Sequence, residues 1–483
     1  MIQHLQLDFS YFLLTQIVDE QAYLRHKNTL KSVKYRNEFE KMDSGLGVGG
    51  HSTSYRSMTS SKLDLFQSIV YENGVTKGVD IEYYPISPPS DNGPVEFYIP
   101  PDPEKYIDIE NTKLCGVVRM KKKGDDDNWS YTELTDKNYY INNYFHSLWS
   151  NVIIKVNDTE IGDSGTNSYA YGAYIQTLLA ARERCRETIL FSRSFVKDTH
   201  REMDTLDEEK NKALKFRKGG ASYRVMNVPI QNDLLTAETY LPPNTKLNLT
   251  FRRAEDKFVI LQGDDNEYKI DISKLKLKVR KYDVSQDVKN YYSKMLKTKP
   301  PTIAYTKNVM RTYTKPKGDF DLSHHNLFQS SRLPERIYVM MVEQDAFNGN
   351  FKKNPFNFQT FNFKEASLIV NDVCEPSIPY KNDDDYSSRP CYFDFLENTG
   401  TSAFEMDSSW ITEKEYTNGY FILAWDRSPT KDNGLYTHKM DGGTMGLRLS
   451  VKEALKNNIM VIVYASYTDT LQFVDDKVKT DSI

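Results

Sequence analysis

The stretch LPERIYVMMVEQDAFNGNFKKNPFNFQTFNFKEASLIVNDV, residues 333–373, sets two apolar runs on either side of a segment rich in asparagine, glycine and phenylalanine. Ile337 to Val342 is apolar without a break and follows Pro334, which reads as a strand buried on both faces and too short for a helix. Asn348-Gly349 supplies a tight turn, because both residues tolerate positive φ at low steric cost. In PFNFQTFNF, Phe356 and Phe358, then Phe361 and Phe363, sit two apart, so each pair projects to one side of an extended chain. A second strand, Ala366 to Val370, stops at Asn371-Asp372, another turn signal. On residues alone, the stretch is a β-hairpin with an aromatic loop.

Strand signals continue on both sides of it. Downstream, Gly419 to Trp425 (GYFILAW) reads as a buried strand, Gly446 to Val451 alternates, and Ile459 to Tyr464 (IMVIVY) is a closing core strand. Ser450 to Glu453 also fits a helix capping box, so the local signals conflict after Val451. Upstream, strand patterns begin at SKLDLF (61–66). They continue through VDIEYYPI, with Val79, Ile81 and Tyr83 on one face, then VEFYIP at Val95 and the run Tyr106 to Met120. LNLTF (247–251), FVIL (258–261), YKIDI (268–272) and Leu275 to Val279 complete this half. Lys274, Lys276, Lys278 and Arg280 alternate with Leu275, Leu277 and Val279, a half-buried strand with a cationic outer face. That face is either solvated or an inward-facing contact for phosphates.

Between them, the apolar strand Val152 to Val156 is closed by Asn157-Asp158. Val156-Asn157-Asp158 recurs as Val370-Asn371-Asp372 at an offset of 214 residues (370 minus 156), as expected of a duplicated domain. Ser168 then caps a helix with Tyr171, Tyr174, Ile175, Leu178 and Leu179 on one face. Residues 197–220 are densely charged and predict a long exposed loop. Lys121 to Asp127 opposes three cations to three acids around Gly124 and reads as a solvated turn.

The domain expectation is an N-terminal arm and flexible linker over 1–60, one sandwich over 61–285 and a connector over 286–302. A second sandwich over 303–475 and a polar tail over 476–483 complete it. The arm holds a possible helix, Phe12 to Phe39, and then the glycine-rich stretch from Gly45 to Gly50. Within the connector, Asp287 to Leu296 is helix-compatible, and an acidic loop follows Pro379 at Asp383 to Asp385.

Several function classes are disfavoured. Lys+Arg 63 against Asp+Glu 67 gives a net charge of -4, with no global pull towards nucleic acid or acidic membranes. The 33 Tyr and 24 Phe favour strands and large contact surfaces. Cys115, Cys185, Cys374 and Cys391 lack metal-ligand spacing and a disulfide pattern, which suits a reducing compartment. Phe9 to Leu14 is apolar but follows Asp8 without a basic region, so no signal peptide is expected, and no run is long enough to span a membrane. Sequons at Asn128, Asn157 and Asn248 presuppose secretion and carry no argument. His4, His26, His51, His146, His200, His324, His325 and His438 show no metal spacing, and no GxSxG, HExxH or P-loop motif occurs. No catalytic, cofactor-binding or metal residue is nominated.

PERI, DAFNG, NPFNF and a strand ending in VND, in this order, resemble the C-terminal half of the major capsid protein of Polinton (Maverick) elements. These virus-like DNA transposons of animals are related to virophages and adintoviruses. In the first half, NNYFHSLWSNVIIKVNDTEIG (142–162) is the best match. The order of motifs spans roughly 61–475, whereas the arm and 197–220 match nothing in the family.

The resemblance implies an all-β chain of two tandem eight-stranded jelly rolls, a double jelly roll with short helices in the loops. It implies a homotrimer forming a pseudo-hexagonal capsomer, which tiles an icosahedral shell around double-stranded DNA. The expected partners are other capsomers, penton or minor capsid proteins, and packaged DNA bound without sequence preference. The expected place is the virion capsid, assembled inside the host cell. The motif residues Phe347, Asn348, Gly349, Asn354, Pro355, Phe356, Asn357, Phe358, Phe361 and Phe363 are expected to fix the second domain or its trimer contact. Lys274, Lys276, Lys278 and Arg280 are the candidate inner-face strand. A second class of reading is a domesticated double jelly-roll binding module of lectin type, or a hydrolase of glycoconjugates.

Overall fold

Alternating apolar and polar residues build the first half, because a strand with one face on a core and one in water needs period two. The computed structural model describes residues 73–89, 93–163, 165–180, 186–220, 223–237, 239–296, 298–382, 389–399, 410–431, 440–474 and 477–480. The arm, SKLDLF, Asp383 to Asp385, Cys185, His4, His26, His51 and His438 lie outside those residues.

The first-half strands are β1 (Val75–Tyr83), β2 (Val95–Ile99), β3 (Lys105–Lys123), β4 (Trp129–Tyr131), β5 (Asn138–Tyr140), β6 (Trp149–Val156), β7 (Thr159–Ile161), β8 (Arg224–Pro229), β9 (Leu247–Arg253), β10 (Ile260–Gln262) and β11 (Tyr268–Val284). One sheet orders β1-β11-β3 with β8 on the far side of β3; the facing sheet orders β2-β9-β6-β7. Phe97, Trp149 and Phe251 pack between them, with centroids 5.7 and 5.2 Å from Phe251. The run read as FVIL splits into a helical turn, Asp256–Val259, and β10.

The second half holds β12 (Thr302–Lys315), β13 (His324–Ser330), β14 (Arg336–Glu343), β15 (Phe363–Val370), β16 (Val373–Lys381), β17 (Leu423–Asp426), β18 (Gly443–Val451), β19 (Ile459–Val474) and β20 (Lys477–Thr480). Its sheets order β12-β19-β14-β17 and β13-β18-β15-β16. Omitting the accessory β4, β5, β10 and β20, both halves have the same plan. The first strand pairs with the eighth, the eighth with the third and the third with the sixth. On the other sheet the order is second, seventh, fourth, fifth. Every pairing is antiparallel.

This plan corrects three expectations. β14 and β15 form no hairpin. β14 pairs with β19 and β17 while β15 pairs with β18 and β16, so the chain between them crosses from one sheet to the other. Asn348-Gly349 ends a short helix, Gln344–Asn348, with Gly349 at φ 92°. Of GYFILAW only the end is strand. Tyr420, Phe421 and Ile422 are fully buried ahead of β17 in irregular chain. Part of the segment read as a polar tail forms β20, because Val478 lies between two lysines and is buried against its neighbours.

Eight α-helices decorate the strands, among the described residues: α1 (Tyr144–Ser147), α2 (Ser168–Ala180), α3 (Ala213–Arg217), α4 (Asp256–Val259), α5 (Gln286–Met295), α6 (Gln344–Asn348), α7 (Arg389–Asn398) and α8 (Glu413–Tyr416). α5 begins at the Ser285 cap, whose side chain accepts from the Val288 N–H, and links the halves. No helix follows Val451. The capping box is instead Thr412 with Glu415 at α8.

Candidate functional site

Aromatic and charged side chains form a buried seam between the halves. α2 is placed on it by Asn151, whose Nδ2 donates to Ser168 Oγ at 2.9 Å and to Gly165 O at 2.7 Å. Because α2 is covered on two sides, its buried residues run from Ser168 through Ile175 and are not confined to one stripe. Gly172 allows the close approach of the second half, since a Cβ there would meet the Tyr464 ring at 3.3 Å. Gln176 Nε2 donates to the Tyr464 hydroxyl at 2.8 Å.

Against α2 lie the phenylalanines of the 344–363 crossing. Phe356 stacks on Tyr174 with centroids 4.0 Å apart and planes 3° from parallel. Phe347 stacks on Tyr171 at 5.4 Å, and Phe358 meets Tyr174 edge-on at 5.9 Å. The Tyr171 hydroxyl donates to the Pro355 carbonyl at 3.0 Å. Phe356, Phe358 and Phe363 are 0 % exposed, so no part of these rings is free to touch a neighbouring subunit. Phe361 does not share a face with Phe363. At φ 45°, next to Asn362 at φ 51°, it forms a turn and stays half-buried, while Phe363 opens β15 against Phe421. Asn348 is exposed, and Gly349 lies against α4, where a Cβ would come within 3.0 Å of the Phe258 nitrogen.

The charged segment 197–220 is exposed over part of its length, but it also belongs to the seam, which the expectation of an exposed loop did not include. Asp198 and Arg217 form an ion pair with side chains 0 % and 1 % exposed. The Asp198 carboxylate also accepts from Asn211 Nδ2 (2.9 Å) and Asn354 Nδ2 (3.3 Å), and its backbone carbonyl accepts from the Tyr420 hydroxyl at 2.8 Å. Asp204 accepts from the Asn354 N–H at 2.7 Å and from Asn357 Nδ2 at 2.6 Å. Lys197 pairs with Glu415 at 2.6 Å. Burial alone would raise the Glu415 carboxyl, but the bonds from Lys197 and Thr412 outweigh it and hold the group below its ordinary range. Lys197, Asp198 and Arg217 are therefore turned inward onto named partners, whereas Arg201, Asp207, Glu209, Lys210, Lys212 and Lys215 stay exposed.

A third contact seals an open sheet edge. β12 is the edge strand of its sheet, and edge N–H groups are open to pairing with another chain. Two carboxylates of the first half occupy them. Asp233 accepts from the Asn308 N–H (2.8 Å) and Nδ2 (2.6 Å), and Asp163 accepts from the Met310 N–H at 2.7 Å.

The basic strand is neutralised. Lys276 pairs with Glu82 at 2.6 Å, and Lys278 and Arg280 pair with Asp80 at 3.0 and 3.2 Å, all across the β1–β11 ladder. Lys274 is exposed at a bulge with φ 50°.

Among the described residues, no three His, Cys, Asp or Glu side chains converge as a metal cluster would. Burial raises the thiols of Cys115 and, to about 12, Cys391, which disfavours the thiolate at both. Burial also lowers His146 to about 3, and its neutral ring shares a 3.0 Å hydrogen bond with the Tyr169 hydroxyl. A groove of about 880 Å³ beside α5 is lined by Tyr106, Tyr240, Tyr292 and Phe473. Of its charged members Glu104, Lys289 and Lys299, the first two face each other at 3.7 Å. No helix is long and apolar enough to cross a membrane among these residues.

With this geometry in view, comparison with solved structures decides the fold. The chain is similar to a chain of the Sputnik virophage cryo-EM structure, at 13% identity and a TM-score of 0.58, covering 90% of this chain and 93% of that one. It is similar to the Faustovirus major capsid protein at 9% identity and 0.54, covering 85% and 93%, and to the mavirus major capsid protein at 11% and 0.50, covering 90% and 96%.

The chain is a double jelly roll. Its structural neighbours include viral major capsid proteins. No family model matches the sequence. A Caenorhabditis elegans protein described as uncharacterized protein F54H12.2 is 22% identical over 400 residues, 78% of this chain and 90% of that protein.

Proposed function

We propose that this chain is a major capsid protein whose function is shape. The observation that carries the reading is the duplication: two sandwiches with one strand order, fused by a buried seam of aromatic rings and paired charges. The likeness to virophage and Faustovirus chains, covering 85–90% of this chain and 93% of each of those, supports it. A subunit with two similar walls can tile like a hexamer when three copies associate, because three times two equivalent domains approximate six-fold symmetry. A domain with its sheet edges covered also tolerates close packing without edge-to-edge aggregation. In the same reading the chain belongs to a Polinton-like element. The motif order around PERI, DAFNG and NPFNF and a relative encoded in a nematode fit an element resident in animal genomes. Penton proteins would close the vertices and DNA would fill the shell, held by enclosure rather than by the bulk charge of -4.

Negative-stain microscopy of the purified chain tests this reading. Particles with hexagonal outlines are expected, and a field of separate two-lobed particles at every concentration overturns it.

A further inference from the structure

The helix that joins the halves carries an apolar stripe that the described residues leave uncovered. In α5, Val288, Tyr291, Tyr292 and Met295, with Leu296 at the cap, stand at i, i+3, i+4, i+7 and i+8, the spacing that a surface helix normally turns onto a core. Here no residue of the helix is buried. Tyr291, Tyr292 and Leu296 are 54%, 47% and 55% exposed. The helix is held at one edge, by the Ser285 cap, the pair of Lys289 with Glu104 at 3.7 Å, and Tyr292 beside Tyr106 with centroids 6.2 Å apart. Beside it runs the groove of about 880 Å³. Its lining includes Pro103, Asn157 and Asn244, which puts α5 at the end of the first sandwich where the turns after β2, β6 and β8 gather.

The charge around the stripe is concentrated and of one sign. From Ser285 to Thr302 the sequence sets Lys289, Lys294, Lys297 and Lys299 against Asp287, a net +3, so the remainder of a chain of net charge -4 carries -7. Glu104 offsets Lys289, whereas Lys294 and Lys299 are exposed and form no ion pair among the described residues. At 3.6 residues per turn, Lys289 and Lys294 fall on opposite sides of the stripe, and their long stems let the ammonium groups reach whatever covers it.

We propose that α5 is a membrane-surface helix, whose stripe enters the headgroup boundary of an acidic lipid bilayer while its lysines meet the anionic headgroups. Tyrosine and lysine suit such a boundary, the first by its apolar ring and polar tip, the second by its stem and charge. A protein groove would have to desolvate and pair these lysines, but a bilayer leaves them hydrated among the headgroups. The 10 residues of the helix at 1.5 Å each give about 15 Å, half the thickness of a hydrocarbon core, so α5 can lie in the boundary and cannot cross it. The net negative charge of the remainder orients the contact, because an acidic surface attracts this segment and repels the rest.

Flotation of the full chain with vesicles tests the proposal, using phosphatidylcholine alone and phosphatidylcholine with about one-third phosphatidylserine. Wild type is expected to float with the phosphatidylserine vesicles at about 0.05 M salt, to be released at about 0.5 M, and to stay behind with phosphatidylcholine alone. Lys294→Glu combined with Lys299→Glu should weaken binding at least about twentyfold. Tyr291→Ser combined with Leu296→Ser should weaken it comparably without any change of charge. All four side chains are exposed, so both variants should melt like wild type. If a pair lowers the melting point, Lys299→Glu or Tyr291→Ser alone replaces it, with about fivefold weaker binding expected. A wild type that stays with the buffer in every mixture overturns the proposal. Variants that float like wild type overturn it by giving the contact to another part of the chain. Binding lost in the lysine pair but unchanged in the serine pair overturns it too, leaving an anion contact with no inserted stripe. None of these outcomes depends on the capsomer reading, since they are read on vesicles and not on association between copies.

Discussion

Asn157 and Asn371 hold the same place in the two sandwiches and make the same pair of hydrogen bonds. The Asn157 N–H donates to Lys246 O at 3.0 Å and its Oδ1 accepts from the Lys246 N–H at 2.8 Å. The Asn371 N–H donates to Thr444 O at 3.0 Å and its Oδ1 accepts from the Thr444 N–H at 3.0 Å. Each asparagine thus extends a ladder by one step, β6 to β9 or β15 to β18. Each also opens a two-residue turn at positive φ: 46° and 71° at Asn157-Asp158, 47° and 66° at Asn371-Asp372. Asn157→Ala and Asn371→Ala should each cost about 1–3 kcal/mol, for the lost bond and the strained φ. Because the turns sit in different sandwiches, the double variant should show the sum in denaturant titrations. A Gly at either position should cost less, since only the bond is lost.

Phe356→Ala should lower stability by about 3–5 kcal/mol, because a fully enclosed ring leaves a cavity in the seam. Its stacking partner behaves differently. The Tyr174 hydroxyl is buried with no hydrogen-bond partner among the described residues, so Tyr174→Phe should be neutral or stabilise by about 1 kcal/mol. Chemical denaturation of both variants checks the contrast.

Asp198→Ala should cost about 3–5 kcal/mol, since it strands the Arg217 charge in the protein interior. Combining it with Arg217→Met should recover much of that loss, a non-additivity that a double-mutant cycle measures.

Raising the pH from about 4 to about 7 should loosen the seam. Burial pushes the Asp233 carboxyl up to about 7, with repulsion from Asp163 adding to it and the bonds from Asn308 and the charge of Lys307 opposing it. In the unfolded chain the group titrates near 3.8. Between these values the folded state holds the extra proton, so this group's contribution is fully present below about pH 4, declines as pH rises and is lost above about 7. Denaturation midpoints across that window should fall for wild type, and Asp233→Asn should remove this part of the slope.

The strands with unbroken apolar runs, Val152 to Val156, Ile337 to Val342 and Ile459 to Tyr464, were legible because burial leaves its mark locally. The Ser168 helix was legible for the same reason, and the VND repeat pointed to duplication. What sequence reasoning missed is non-local. Nothing near Tyr174 announces Phe356, and nothing in 197–220 tells a solvated charge from one whose partner lies 19 residues on, as Arg217 does for Asp198. The hairpin read across 337–370 failed because this jelly roll sends its third and fourth strands to opposite sheets, a choice made by the whole sandwich and not by the turn residues. The cations of β11 were visible, but their neutralisers Asp80 and Glu82 lie almost 200 residues upstream.

The most direct test of the central claim is the mass of the purified chain by light scattering. Self-association into a three-fold capsomer predicts a species near three times 56.1 kDa. A single species of 56.1 kDa at every concentration and salt condition would contradict it.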